Sequence, residues 1–307
     1  TSTSHMVMPS GPTEMRGGRG RAIVFVGATP SNTTLIDAFD TTTAGNAFDF
    51  GDASAARYNN GFGGCASATR GVIADGTLME YVVFSSGGGS NEFGDHRLMG
   101  GGTGTAAIGH AADGVRGLLA GGYIAPSNLN TIDFITIATT GSSSLFGEFD
   151  DGSTGGYSPM ASPTRAVFAR GGQNLNFINF TSGGKTQIFG DMRGDSRVAH
   201  IASCSSSTRG IMAGGEAPSR VNTITFITLA TLGNGTDFGD LLAGRNDHDA
   251  VSSSTRGFIV AGANPSKTNS IEFVTIASTG NGQEFGDLTQ ARSQPSSCSD
   301  VHGGLGD

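Results

Sequence analysis

The sequence predicts an all-β chain folded as a six-bladed β-propeller, with four short antiparallel strands per blade and a ring closed by a C-terminal strand. Two observations carry this prediction. One is a pattern repeated six times along 307 residues. The other is a set of short strands whose composition calls for burial on both faces.

The repeat has fixed internal spacing. An aliphatic residue is followed nine positions on by Gly, and five further on by Phe-Gly-Asp/Glu. The copies are Ile36…Gly45…Phe50-Gly51-Asp52, Met79…Gly88…Phe93-Gly94-Asp95, Ile132…Gly141…Phe146-Gly147-Glu148, Leu175…Gly184…Phe189-Gly190-Asp191, Ile224…Gly233…Phe238-Gly239-Asp240 and Ile271…Gly280…Phe285-Gly286-Asp287. An anchor arginine precedes each copy: Arg21, Arg70, Arg116, Arg165, Arg209 and Arg256, at intervals between 44 and 49 residues, with His302 where a seventh would fall. Units of that length with several short strands point to propeller blades rather than to solenoid coils, which are usually shorter.

Each strand follows from its residues. After the anchor comes a brief apolar run bounded by Gly, such as Gly257–Ala261. The next run is rich in β-branched and aromatic residues. In Ile132-Asp133-Phe134-Ile135-Thr136-Ile137 large apolar groups occupy odd and even positions, so both strand faces are expected to be covered. Phe-Gly-Asp/Glu is another strand, and the Ser-rich stretch before the next anchor supplies the last. The unit containing Arg21 lacks that stretch at its start, whereas Ser293–Ser299 is left over at the end of the chain. The C-terminal segment is therefore expected to complete the first blade, tying the two ends together. Residues 1–20 are read as an N-terminal arm, 21–302 as the propeller and 303–307 as a short tail.

Composition excludes several function classes. The net charge is −8, and Lys185 and Lys267 are the only lysines, so a nucleic-acid partner is not expected. No apolar stretch reaches the roughly 18 residues of a membrane helix. Trp is absent and only four Tyr occur, which removes the aspartate-box signature of sialidase propellers and leaves no copper-oxidase constellation. Gly-x-Ser-x-Gly, His-Glu-x-x-His and P-loop motifs are also missing. The sequence thus reads as non-enzymatic, with no cofactor.

Several residue types carry possible binding chemistry. Six anchor arginines on one face of a ring suit either of two tasks. They can bind anionic sugars or phosphate, or each can latch onto one of the six Phe-Gly-Asp/Glu carboxylates; equal numbers favour the latch. His200 and His248 fall in matched places on successive units, but two histidines lack a third metal ligand. Cys65, Cys204 and Cys298 share one position on an inner strand, which reads as free buried thiols. Pro30-Ser31, Pro126-Ser127, Pro218-Ser219 and Pro265-Ser266 mark four structured turns. The irregular connectors between units were the expected partner-binding loops: one beginning at Arg97 and including His110, another holding Tyr157 and Met160.

Arg197-x-x-His200 and Arg245-x-x-His248, the doublets Gly121-Gly122, Gly171-Gly172 and Gly214-Gly215, and a late aromatic in each unit together resemble the kelch repeat, with Phe where kelch repeats usually carry Trp. The fuller pattern, Ser-Ser-Thr-Arg-Gly followed by an apolar Thr-rich strand and Phe-Gly-Asp, is similar to kelch-like propellers in structural proteins of tailed bacteriophages. That resemblance implies a virion component made in the host cytoplasm: a fibre, tail-associated or capsid-decorating protein. Its partners would be other virion proteins and a host-surface receptor or glycan, in an oligomeric assembly. A glycan-binding lectin propeller and an intracellular kelch-type adaptor are the alternatives.

Overall fold

Five of the six anchor arginines open a strand because Ser or Asp three residues earlier turns the chain; for Arg21 the backbone N–H donates instead to Asp300. Ser67, Ser162, Ser206 and Ser253 accept from the backbone N–H of Arg70, Arg165, Arg209 and Arg256, and Asp113 accepts from that of Arg116. These turns join the innermost strand of a blade to its second strand.

The computed structural model describes residues 20–57, 63–75, 78–97, 105–124, 126–150, 157–170, 174–192 and 199–305. In chain order the strands are β1 (Arg21–Phe25), β2 (Thr33–Asp40), β3 (Phe48–Arg57), β4 (Cys65–Ala66), β5 (Arg70–Asp75), β6 (Leu78–Val83), β7 (Asn91–Asp95), β8 (Thr105–Ala112) and β9 (Arg116–Ile124). Then follow β10 (Ser127–Asn128), β11 (Thr131–Thr136), β12 (Ser144–Glu148), β13 (Tyr157–Ala161), β14 (Arg165–Arg170), β15 (Asn174–Asn179), β16 (Gly184–Lys185), β17 (Gln187–Asp191) and β18 (Ala202–Ser205). The last are β19 (Arg209–Ala213), β20 (Thr223–Thr228), β21 (Thr236–Asp240), β22 (Asp249–Ser252), β23 (Arg256–Val260), β24 (Ala263–Asn264), β25 (Ser266–Thr275), β26 (Gln283–Arg292) and β27 (Ser296–Ser299), before a 3₁₀ turn at Gly303–Leu305.

They assemble into six blades, innermost strand first: β27-β1-β2-β3, β4-β5-β6-β7, β8-β9-β11-β12, β13-β14-β15-β17, β18-β19-β20-β21 and β22-β23-β25-β26. This is the six-bladed propeller that the repeat predicts. Closure is as expected, with Ala22 opposite Ser299 and Phe25 opposite Ser296 in one antiparallel ladder. The core lies between blades. Ile36, Met79, Ile132, Leu175, Ile224 and Ile271 are all fully buried, and five of the six repeat phenylalanines are buried, Phe146 partly.

Three boundaries or details differ from expectation. Of the N-terminal arm, residues 1–19 lie outside the described residues, while Gly20 is buried in the ring and donates its N–H to Asp300. Of the segment after 302, residues 303–305 are described and pack back on the ring. His302 donates from Nε2 to the Ala66 carbonyl at 2.7 Å, and the following turn packs Gly303 and Gly304 against the Ser206 and Ala112 carbonyls, over one mouth of the central channel. Only glycines allow so close an approach, since a Cβ on Gly303 would lie 2.3 Å from the Ser206 oxygen. Lastly, His200 and His248 are not equivalent. His200 shares its place with Asp247 and Gln294; all three have left-handed backbones (φ 54°, 53° and 55°) at the entry to an inner strand.

Candidate interaction surface

The repeated residues hold blade to blade. Each anchor guanidinium donates to a main-chain carbonyl of the next blade, just past that blade's third strand: Arg21 to Phe84, Arg70 to Ala138, Arg116 to Phe180, Arg165 to Leu229, Arg209 to Ile276 and Arg256 to Thr42. Its other face covers an aromatic ring, 4.3 Å from Phe226 for Arg209 and 4.6 Å from Tyr81 for Arg70. The expected latch onto Phe-Gly-Asp/Glu is therefore corrected. The arginines use the planar fork and flat π-face of guanidinium on carbonyls and rings instead.

The Phe-Gly-Asp/Glu strand has a different task. Its Phe carbonyl accepts from the repeat glycine of the next blade, as in Gly88 to Phe50 at 2.7 Å and Gly280 to Phe238 at 2.8 Å. A Cβ on Gly51 would lie 2.2 Å from the Gly88 oxygen, so the Gly-to-Gly approach requires the missing side chain. This contact caps the outer edge of each blade, which would otherwise offer open hydrogen-bonding groups. Asp52, Asp95, Asp191 and Asp240 lie at exposed positions on the rim, Asp287 is partly buried, and the Glu148 carboxylate is about half exposed.

A latch does exist, at residues that motif reading passed over. Immediately after the repeat aliphatic, Asp37, Glu80, Asp133 and Glu272 are buried. Each pairs with an arginine at or just past the end of the preceding blade's outer strand: Arg292 at 2.6 Å, Arg57, Arg97 at 2.7 Å and Arg245. The aliphatic-acid dipeptide was the available signal, together with arginines seven residues after Phe50, Phe238 and Phe285. Blades four and five carry Asn176 and Thr225 at that place.

Three of the four residues expected on partner-binding loops lie inside instead, while Arg97 stays exposed in a turn just past β7. Arg97 is committed to Asp133. His110 is buried on β8, its Nε2 accepting from the Ala74 N–H at 3.2 Å. Tyr157 is fully buried and stacked on Phe149, ring centroids 4.2 Å apart. Met160 is buried beside Gly210. For His110, Tyr157 and Met160 the inner strand (β8 or β13) begins earlier than composition suggested, because small residues let inner strands converge on the axis. The same convergence buries Cys65, Cys204 and Cys298 as free thiols, and desolvation pushes Cys65 and Cys204 up to about 12.

Around the axis, serine hydroxyls join neighbouring blades: Ser203 to the Pro159 carbonyl, Ser205 to Ala161 and Ser252 to Ser205. Ser297 donates to Asp249 at 2.6 Å. The axial cavity measures about 60 Å³, room for a few waters. Among the described residues no group of three or more His, Cys, Asp or Glu is placed to hold a metal.

Opposite the anchor face lies the face built from second-to-third-strand loops and blade connectors. Three of the Pro-Ser turns are compact there: Thr29 and Ala217 donate to the Ser31 and Ser219 carbonyls, and Ala263 to Lys267 forms a tight hairpin. Between blades five and six, Arg220 Nε donates to Asn246, whose amide donates to Glu216. Beside them His200 Nδ1 lies 3.0 Å from Asp247. That hydrogen bond raises the His200 imidazole and lowers the Asp247 carboxyl. This is the most varied polar chemistry on a loop surface among the described residues.

No family model matches the chain, and no curated protein is similar to it in sequence. The propeller fold supports a binding or protein-interaction role.

Proposed function

We propose that this chain is a non-enzymatic interaction propeller that serves as a structural component of a virion, in a fibre, tail-associated or capsid-decorating position. One observation carries the interaction reading. The six-fold repeated arginines and glycines, and serines of several inner strands, are spent on blade-to-blade bonds, which leaves recognition to residues that differ from blade to blade. Those gather on the loop face, around Glu216, Arg220, Asn246, His200 and Asp247. The virion reading rests on the similarity of the repeat to tailed-phage structural propellers. A ring latched at both its axis and its rim also suits a particle that must survive outside a cell. Other virion proteins and a host-surface receptor or glycan are the partners this reading names.

Immunogold labelling of purified particles with antibody against the recombinant ring tests it. Label at tail or fibre tips, or over the capsid, is the expected result and separates attachment from decoration. Particles of confirmed composition that carry no label would overturn the virion assignment and favour the adaptor.

A further inference from the structure

The rim of the ring carries an acidic girdle with one gap. The residue before each Phe-Gly-Asp/Glu is Asp49, Glu92, Asp237 or Glu284 in blades one, two, five and six, but Leu145 in blade three and Ile188 in blade four. Both are exposed, at 57% and 66%. Beside Ile188 stands Leu232, 60% exposed, which precedes the glycine whose N–H bonds to the Phe189 carbonyl. The other blades place Ala44, Gly87, Thr140, Gly183 and Thr279 at the Leu232 position. Between the Leu145 and Ile188 strands lies Lys185, 3.2 Å from Asp150 and 3.8 Å from Glu148, which offsets acid in the same sector.

We propose that this sector, from the outer strands of blades three and four to the Leu232 loop of blade five, is a homotypic interface, on which a second copy of this chain packs its own Leu145, Ile188 and Leu232. Charge selects the occupant. With a net charge of −8 and paired acids along the rest of the girdle, two copies repel least in the rim-to-rim approach that brings the gaps together. The exposed side chains are not required by the fold, because four blades build the same strand with a carboxylate in that place. An isologous contact uses the same patch on both copies and closes at a dimer. Raising the salt concentration screens the remaining repulsion and strengthens the dimer, the opposite of what an ion-paired interface would do.

Sedimentation velocity on the full chain, over a hundredfold range of concentration, reads the outcome. Wild type should sediment at twice the 31.0 kDa chain mass at the upper end, with the dimer fraction growing between low and high NaCl. Leu145→Glu/Ile188→Asp installs what other blades already carry, and should leave the melting temperature unchanged while abolishing the dimer. Leu232→Thr, the residue found at the matching position of blade six, should weaken it with no charge added. A monomer at all concentrations, a dimer that survives both variants, or a dimer dissolved by salt would overturn the proposal. The loop-face reading stands apart from this test, since a monomeric ring can still bind a partner through its loops.

Discussion

Arg292 and Asp37 form an ion pair, Nη2 to Oδ2 at 2.6 Å, in which neither side chain has any solvent exposure. Arg292 ends the outer strand of the last blade and Asp37 sits in the third strand of the first, so the pair lies across the seam where the chain closes on itself. Burial lowers the guanidinium from its ordinary value, with Asp37 opposing that shift. Thr289 also donates to Asp37, from both its backbone N–H and its hydroxyl.

Breaking this pair from one side should be costly. Arg292→Met would strand a carboxylate without exposure, at about 3–5 kcal/mol. Restoring neutrality with Asp37→Asn in the same chain should recover much of that loss. Urea unfolding of both single variants and the double variant measures the coupling. Equal, additive losses would mean that the two residues act independently.

Gly71 should be equally intolerant of a methyl group. A Cβ there would lie 2.5 Å from the Cys298 sulfur and 3.2 Å from Phe84. The same relation recurs where Gly117 faces Cys65 and Gly257 faces Cys204. Gly71→Ala is expected to cost about 1–3 kcal/mol through overpacking, and Cys298→Ala should relieve most of it. The three thiols should also resist Ellman's reagent at pH 8 until the ring unfolds, because burial holds Cys65 and Cys204 at about 12.

These two relationships show what could be read in advance. Blade number, strand order and ring closure were legible because they rest on spacing, which the six copies state repeatedly. The seating of Cys298 on an inner strand was legible for the same reason. The partners of the arginines were not. Arg209 bonds to the Ile276 carbonyl, 67 residues away, and a carbonyl leaves no trace in composition, whereas six carboxylates invite pairing by number. His110, Tyr157 and Met160 were misplaced because irregular, Gly-rich sequence resembles loop even where glycine serves close packing. Gly109, for instance, leaves its space to Tyr157.

Phe238 tests the inter-blade core directly. It is 3% exposed and meets Phe226 with ring centroids 6.0 Å apart. Phe226 in turn carries Arg209 over its face. Phe238→Ala should cost about 3–5 kcal/mol as read by denaturant midpoint, while Phe146→Ala, at the partly buried copy, should cost less. The reverse order would place the core elsewhere.

The pH dependence of stability should reflect two buried groups that work against each other. Desolvation raises Asp249 from 3.8 to about 7. A carboxyl raised in the folded state binds its proton more tightly there than when unfolded, so its contribution is fully favourable below about pH 4 and is lost as pH climbs to about 7. His248 is buried and pushed down from 6.5 to about 4. An imidazole lowered in the folded state stays neutral there, so its contribution is complete above 6.5 and is lost as pH falls towards 4. Between those limits the two slopes oppose, each at about 1.4 kcal/mol per pH unit. The difference in unfolding free energy between wild type and Asp249→Asn should therefore shrink as pH rises from 4.5 to 6.5. The difference between wild type and His248→Gln should grow over the same range. Measuring both differences at several pH values isolates each group from the other titrating side chains. Two flat differences would mean that neither residue changes its protonation between the folded and unfolded chains.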